Sequence, residues 1–549
     1  MRLLRAAIRA RAGRDRHRGH RRPHRRARPA RRRAAARPRP LPGAAAQPAR
    51  QPRRLPRRLS EGSETKPMRF AALALLTALT VPALAAGPAA AETRMTIALP
   101  FGPTNAAPDP RARQNGWMSN RAGVSETLLG LDHEMRLVPR LATAWENLSP
   151  TEWRLTLREG VRFHDGTLMD ATSVKASLEK IDVEGHPAHN PRLSRLLDIT
   201  AIETPDPMTV LFRTNAPNAA FPWSLTEPSA AVLREGTDAL PLIGTGPFVF
   251  ESAIADRRYD VRAFPDYWGG APALDALRLD AIPEPSTAAL ALASGDVDLV
   301  FDYPAPDYSR LAAAGDAQLF SRPTTRLFFL AVRAADGPTA DPRVRRAISL
   351  AIDRATLVDI ALDGVGGAPA TGVFPMTMAA WRNAALDLPF DPEAARALLA
   401  EAGATDADGD GTLEMDGADL TLRLRTYEGR AALKPTAELL QVMLSEIGFA
   451  TEIAVAEYGA NNEALRAGEI QLHLQAWGTA PQGDPGYFFE TLLRSDAGLN
   501  DGGYANEELD RLLTAGRETF DTAERKEIYD RVQAIVAEEA PLIPLSTRP

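Results

Sequence analysis

The sequence predicts a protein of the α/β class, with some α+β character, built from more than one domain. Stretches in which apolar and polar residues alternate recur along the chain, and well-marked amphipathic helices lie between them. The length of 549 residues exceeds what one hydrophobic core usually organises, which favours two or three domains. The absence of cysteine excludes disulfides, thiolate metal sites and a cysteine nucleophile.

The strand predictions rest on alternation with a period of two. In residues 152–163, Trp153, Leu155 and Leu157 share one face, and polar residues occupy the other. Asp165-Gly166 then marks a turn. Further strands are predicted at 95–100, 208–214, 259–264, 277–282, 420–427 and 451–458.

The helix predictions rest on capping residues and apolar faces. Asp341-Pro342 supplies an N-cap followed by proline in the first turn, and one apolar face continues towards Gly364. Asp391-Pro392 repeats this arrangement before a helix that ends near Gly403. Two more helices are predicted at 435–447 and around 528–536.

The N-terminus differs in composition from the rest of the chain. Residues 1–67 contain 22 arginines and three acidic residues, too little apolar sequence to form a core. One interpretation is a basic arm for nucleic acid, and the other is upstream sequence read from a start codon set too early. Residues 68–91 favour the second, because Arg69, an uncharged apolar run and Ala89-Ala90-Ala91 form the pattern of a secretory signal peptide.

The remainder, residues 92–549, is acidic, with 41 Lys and Arg against 67 Asp and Glu. An acidic, exported, cysteine-free chain is not expected to bind nucleic acid. No later stretch is long and apolar enough to predict a membrane span.

Signatures of catalysis are scarce. The chain lacks H-E-x-x-H, G-x-S-x-G and the Walker A motif, and we predict no catalytic residue, no cofactor and no resident metal. His186 and His189 could share a metal, but a solvated loop is the favoured interpretation. Asp406, Asp408 and Asp410 start like a calcium loop, yet Gly417 stands where its bidentate glutamate belongs. A polar connecting turn and a weak calcium site both stay open there.

Several stretches, in order, carry a family resemblance. They are "PRLATAWENLSPTEWRLTLREGVRFHDGTLMDATSVKASLEKI" (139–181), "LIGTGPFVF" (242–250), "DYWGG" (266–270), "DPRVRRAISLAIDRATLVDIALDG" (341–364) and "AERKEIYDRVQAIVAEEAPLIPL" (523–545). Together they resemble family 5 of the extracellular solute-binding proteins, the peptide- and nickel-type periplasmic receptors of ABC importers. The resemblance spans nearly all of residues 92–545.

The resemblance implies a two-lobed periplasmic-binding-protein fold with a ligand cleft between the lobes. Residues 92–305 and 516–549 would form lobe I, and residues 306–515 would form lobe II. It also implies a monomeric periplasmic protein that captures a peptide, a related small solute or a nickel chelate and delivers it to the ABC permease. Two other hypotheses are an exported α/β hydrolase or metalloenzyme, and a solute sensor with the same fold.

The expected solute wall lies in "QLHLQAWGTAPQGDPGYFF" (471–489). Ligands of open α/β sheets bind beyond the carboxyl ends of strands, so Gln475, Trp477, Gly478, Thr479 and Tyr487 are predicted to contact the solute. Trp477 offers a large rigid ring.

Three further positions bear on the kind of solute. Glu227 is a lone acid among small and apolar residues, and it could face a cationic group of the ligand. Pro481 and Leu474 stand where dipeptide-type relatives keep an aspartate and nickel-type relatives a histidine. The sequence therefore leaves the ligand open.

Overall fold

The computed structural model describes residues 92–112, 115–234, 242–301, 317–318, 320, 324–362, 367–428 and 430–548. Ala91–Pro549 form one compact unit. The predictions for the Arg-rich segment 1–67 and for the signal peptide 68–91 lie outside the described residues.

Strands and helices alternate along the described chain, as predicted for the α/β class. The strands are β1 Arg94–Leu99, β2 Leu129–Leu131, β3 Leu137–Pro139, β4 Ala142–Ser149, β5 Glu152–Leu157, β6 Ile199–Asp206, β7 Thr209–Thr214, β8 Phe248–Ile254, β9 Arg258–Ala263, β10 Ala276–Ala281, β11 Leu299–Val300, β12 Arg326–Val332, β13 Ala368–Pro369, β14 Glu414–Met415, β15 Ala418–Asp419, β16 Thr421–Thr426, β17 Ala450–Val455, β18 Leu472–Gly478 and β19 Leu542–Arg548.

The helices occupy the connections between these strands. They are α1 Asn115–Arg121, α2 Ala171–Glu179, α3 Pro191–Leu197, α4 Phe221–Ser224, α5 Pro285–Ser294, α6 Pro342–Leu350, α7 Arg354–Ala361, α8 Pro392–Glu401, α9 Leu433–Ser445, α10 Tyr458–Arg466, α11 Gly486–Leu492, α12 Glu507–Glu518 and α13 Thr522–Glu539. Short 3₁₀ turns lie at Lys180–Asp182, Pro228–Ala230, Pro338–Ala340 and Met376–Met378.

Three sheets organise the fold. The first half of the chain forms a five-stranded sheet of order β11-β1-β10-β9-β8 and a four-stranded sheet of order β4-β5-β7-β6. The second half forms a six-stranded sheet of order β13-β19-β12-β18-β16-β17. Each sheet has its own cluster of buried apolar side chains, so the chain has several cores, as its length predicted.

The C-terminal segment differs from our prediction for lobe I. We expected residues 516–549 to return to the first half of the chain, but β19 is hydrogen-bonded between β12 and β13. Its side chains Ile543 and Leu545 are fully buried, and Leu542 shares one core with the apolar face of α13. An apolar strand of this kind is stabilised most by pairing inside a sheet that is buried on both faces.

The predicted helix from Asp341 towards Gly364 is two helices. Asp341 caps α6 by accepting a hydrogen bond of 2.8 Å from the N–H of Arg343. Asp353 caps α7 in the same way, accepting from the N–H of Thr356 at 3.0 Å. The apolar face is continuous across the break, which explains why periodicity alone predicted one helix.

Two of the motifs that carry the family resemblance meet at Glu126, in the first half of the chain. The buried carboxylate of Glu126 accepts hydrogen bonds from Thr245 of "IGTGP" at 3.0 Å and from Tyr267 and Trp268 of "DYWGG" at 2.9 Å each. Burial raises the pKa of Glu126 although these donors lower it. Gly244 must be glycine here, because a Cβ would lie 2.1 Å from the carbonyl oxygen of Val124.

Candidate solute-binding site

The site predicted from the sequence begins at the carboxyl end of β18. In the six-stranded sheet, β18 runs parallel to β16 and antiparallel to β12. The residues of β18 are buried from Leu472 to Ala476, and Trp477 and Gly478 at its end are only half-buried. The sheet therefore presents Trp477 at the edge where ligands of α/β sheets bind.

A hydrogen bond from the indole nitrogen fixes the side chain of Trp477. Its indole N–H donates a hydrogen bond of 2.9 Å to the hydroxyl of Tyr458, at the start of α10. The Tyr458 hydroxyl in turn donates to Oε1 of Gln475 at 3.0 Å. The Trp477 ring also contacts Phe488, with the ring centroids 6.5 Å apart. The indole N–H is thus already used, and Trp477 can offer a solute its ring face.

Gln475 and Thr479 have partners inside the protein. Gln475 is 3% exposed, and its amide nitrogen donates to Nδ1 of His473 at 3.0 Å. Thr479 is fully buried, and its N–H and hydroxyl both bond to the carbonyl of Thr325, at 2.8 and 3.1 Å. Both residues brace the end of β18.

Burial of His473 has an electrostatic consequence. Burial lowers the pKa of His473 to about 3. An amide N–H can only donate, so Nδ1 accepts from Gln475 and the imidazole is neutral with its proton on Nε2. His473 therefore belongs to the packing of β18.

Glu227 lies at the centre of a polar cluster drawn from both halves of the chain. It is 1% exposed, and its Oε1 accepts a hydrogen bond of 3.1 Å from Nη2 of Arg192 on α3. Its Oε2 accepts one of 2.8 Å from the Gln482 amide, in the loop after β18. Nη1 of Arg192 donates to the Tyr487 hydroxyl at 3.0 Å.

We call Arg192, Glu227, Gln482 and Tyr487 the bridging cluster. Burial lowers the pKa of Arg192, but Tyr487 and Glu227 outweigh this and raise it. Burial also raises the pKa of the Tyr487 phenol. Both groups therefore keep their protons, and the guanidinium is charged at neutral pH.

The sequence did not reveal two members of this cluster. Arg192 follows an ordinary Asn-Pro helix start, and Gln482 is one polar residue in a loop. Arg192 lies 35 residues before Glu227 in the chain, and Gln482 lies 255 residues after it. Such separations leave no local pattern, so nothing in the sequence alone could have identified them.

Asp484, in the "GDP" turn, forms an ion pair with a buried arginine of the same protein. Its Oδ2 lies 2.7 Å from Nη1 of Arg525, and both side chains are almost completely buried. Its Oδ1 accepts a hydrogen bond of 2.8 Å from the N–H of Gly486. Arg525 also lies against the rings of Trp381 and Tyr529. The pair anchors the loop that carries Gln482.

Among the described residues, one of the two metal-site candidates brings three possible ligands together. The carboxylates of Asp406, Asp408 and Asp410 lie within 4.8 Å of one another and are exposed. Asp406 also accepts hydrogen bonds from the loop N–H groups of Gly409 and Gly411. In the other candidate, Nδ1 of His186 accepts from the N–H of Ala188 within its own loop. The described residues contain no helix with the length and apolarity of a membrane span.

Comparison with known proteins shows the class to which this chain belongs. Residues 136–500 match the family model "Bacterial extracellular solute-binding proteins, family 5 Middle". The chain belongs to this family. The two-lobed periplasmic-binding-protein fold and the role of a solute-binding protein of ABC transporters are thereby confirmed.

Individual relatives bind different solutes. The glutathione-binding protein GsiB of Salmonella paratyphi A is 27% identical over 436 residues, 76% of this chain and 82% of GsiB. The nickel ABC transporter structure from Bacillus halodurans has a TM-score of 0.67 and 27% identity, covering 83% of this chain and 94% of that one. The oligopeptide-binding protein AppA of Bacillus subtilis, in complex with a nonapeptide, has a TM-score of 0.69 and 21% identity, with coverages of 83% and 94%. The last similarity shows the fold alone.

Proposed function

We propose that this protein captures a small organic solute, such as a peptide, a glutathione-like compound or a metal chelate, and delivers it to the permease of an ABC importer. The observation that carries the proposal is the bridging cluster, because Arg192 and Glu227 come from the first half of the chain and Gln482 and Tyr487 from the second. A solute bound at this junction contacts both halves, and its binding energy favours closure.

Roles within the site follow from exposure. Trp477, Gly478 and Tyr487 are partly exposed and form the proposed contact surface, together with Arg192. Gln475, Thr479 and Glu227 are buried and hydrogen-bonded, and they hold that surface in place. The proposed role is binding and delivery, without a chemical step.

Domain boundaries, processing and location belong to the same proposal. Lobe I comprises residues 92–305, and lobe II comprises residues 306–515 together with β19 and α13. Residues 68–91 direct export to the periplasm, and the mature protein acts as a monomer. The acidic charge of residues 92–549 and the signal-peptide pattern support this.

The test is thermal unfolding of the purified full-length chain with a library of peptides, glutathione and nickel–histidine chelates. A binding solute raises the midpoint in proportion to the logarithm of its concentration. Trp477→Ala is expected to reduce that shift. Trp145→Ala, which changes a tryptophan that packs against the separate core of the four-stranded sheet, is the matched control. The absence of a shift with every compound in the library contradicts the proposal.

A further inference from the structure

The guanidinium of Arg192 has donors to spare. An arginine carries five N–H donors, and those of Arg192 have two acceptors among the described residues, Tyr487 and Glu227. The side chain of Arg192 is 48% exposed, whereas that of Glu227 is 1% exposed. A solute that enters the site therefore meets the arginine before the carboxylate.

The carboxylate of the bridging cluster is already in use. Each carboxylate oxygen of Glu227 has one donor, from Arg192 and Gln482 respectively. The hydroxyl of Tyr487 accepts from Arg192, and no acceptor for its own proton lies among the described residues. The accessible side of the cluster thus offers the spare N–H donors of Arg192 and the O–H of Tyr487, while the carboxylate of Glu227 is enclosed.

An accessible, positively charged donor beside an enclosed carboxylate favours an anionic group of the solute. The Arg192–Glu227 pair keeps the guanidinium charged and fixed in orientation, so little side-chain entropy is lost when a second acceptor binds. A carboxylate can accept two parallel hydrogen bonds from a guanidinium fork. Trp477 contacts Phe488, the residue after Tyr487.

We infer that the solute carries a carboxylate, which binds the outward side of Arg192 and the hydroxyl of Tyr487. The inference rests on the proposed function and specifies the chemical class of the solute. It differs from the expectation drawn from the sequence, in which Glu227 faced a cationic group. A cationic group would have to displace Arg192 from Glu227 and leave the guanidinium without its counter-charge.

Three variants distinguish a solute carboxylate bound to Arg192 from a cationic group bound to Glu227. Arg192→Gln removes the donor fork and exposes Glu227. The double variant Arg192→Gln/Glu227→Gln removes both charges, so that no buried carboxylate is left unpaired. Arg195→Gln is the matched control, because Arg195 is an exposed arginine on the same helix, three residues later.

The experiment uses the full-length protein from an exporting bacterial host, stripped of retained solute by unfolding and refolding. The probes are alanine peptides of two to five residues, each as the free acid and as the C-terminal amide, and glutathione with its diethyl ester. Any solute retained by the native protein is identified by mass spectrometry and titrated in the same two forms. Affinities are measured by calorimetry.

The inference predicts that the free acids bind and that their amides or esters bind at least about tenfold more weakly. Arg192→Gln and the double variant should each weaken the free acids at least about tenfold, while Arg195→Gln stays within about twofold of wild type. Equal affinity for acid and amide, or unchanged affinity in Arg192→Gln, overturns the inference and leaves the proposed function standing. If the protein retains no solute and binds no probe, the proposed function fails, and the inference fails with it.

Discussion

Gln482 donates a hydrogen bond of 2.8 Å to Glu227, a residue 255 positions earlier in the chain. This bond joins the loop after the central strand of the six-stranded sheet to the segment that follows Phe221–Ser224. Both side chains are almost completely buried, so the bond is shielded from water. It is the shortest link in the bridging cluster, which joins the two halves of the chain.

Glu227→Ala should destabilise the protein. The change leaves the buried Gln482 amide without its acceptor and removes the counter-charge of Arg192. The free energy of unfolding, measured by urea denaturation, should fall by about 1–3 kcal/mol. Glu146→Ala, which removes an exposed partner of Arg154, is the control and should change it by less than about 1 kcal/mol. Equal effects of the two substitutions would show that the bridging cluster adds no stability.

Asp484→Ala should have a larger effect, because it leaves the charge of Arg525 buried and unpaired. Removing one partner of such an ion pair costs about 3–5 kcal/mol. The double variant Asp484→Ala/Arg525→Met should recover part of this loss, since no charge is then buried. Urea denaturation of the three proteins provides the test. Wild-type stability of Asp484→Ala would mean that Asp484 is not used internally and is free for a ligand.

Tyr458→Phe should loosen Trp477 without removing its ring. The substitution takes away the acceptor of the indole N–H and the donor to Gln475, and it should cost about 1–3 kcal/mol of stability. Tyr427→Phe is the control, because it keeps the ring contact with Tyr458 at 5.1 Å between centroids. Thermal unfolding and tryptophan fluorescence report the change. Identical behaviour of the two variants would argue against a hydrogen-bonded Trp477.

His473 should make stability depend on pH. Burial lowers its pKa to about 3 in the folded protein, whereas the unfolded chain has an ordinary value of about 6.5. Between these values the unfolded state binds the extra proton, so this contribution to stability falls as the pH falls below about 6.5. It is complete above that value.

The test compares wild type with His473→Gln, because all other titrating groups contribute equally to the pH dependence of the two proteins. The difference in free energy of unfolding between the two proteins should shift by about 2 kcal/mol in favour of the variant between pH 7.5 and pH 5. Urea denaturation at both pH values measures it. A constant difference would place His473 in contact with water or with a negative charge.

The sequence predicted the fold well where local patterns determine structure. Alternation placed the strand at Glu152–Leu157, and Asp391-Pro392 placed the helix at Pro392–Glu401. The boundary at Asp353 was missed because the apolar face continues through it. The position of Leu542–Arg548 depends on which sheet has an open edge, and that is a property of the whole fold.

The site was predicted only in part. Trp477 lies at the end of its strand as expected from the sheet rule, and its contact with a solute stays a prediction. Arg192 was missed because its importance comes from Glu227 and Tyr487, which lie 35 and 295 residues away. Glu227 was identified as unusual, but the sequence could not show that Arg192 of the same chain already forms an ion pair with it.

Native mass spectrometry of the full-length protein from an exporting host tests the central claim most directly. The account predicts a mass that exceeds the polypeptide by one small solute, which is released on mild activation and is missing from Trp477→Ala. The same spectrum reports whether processing occurs near residue 91. A wild-type protein that carries no solute, and whose thermal midpoint no peptide, glutathione or chelate raises, would contradict the account.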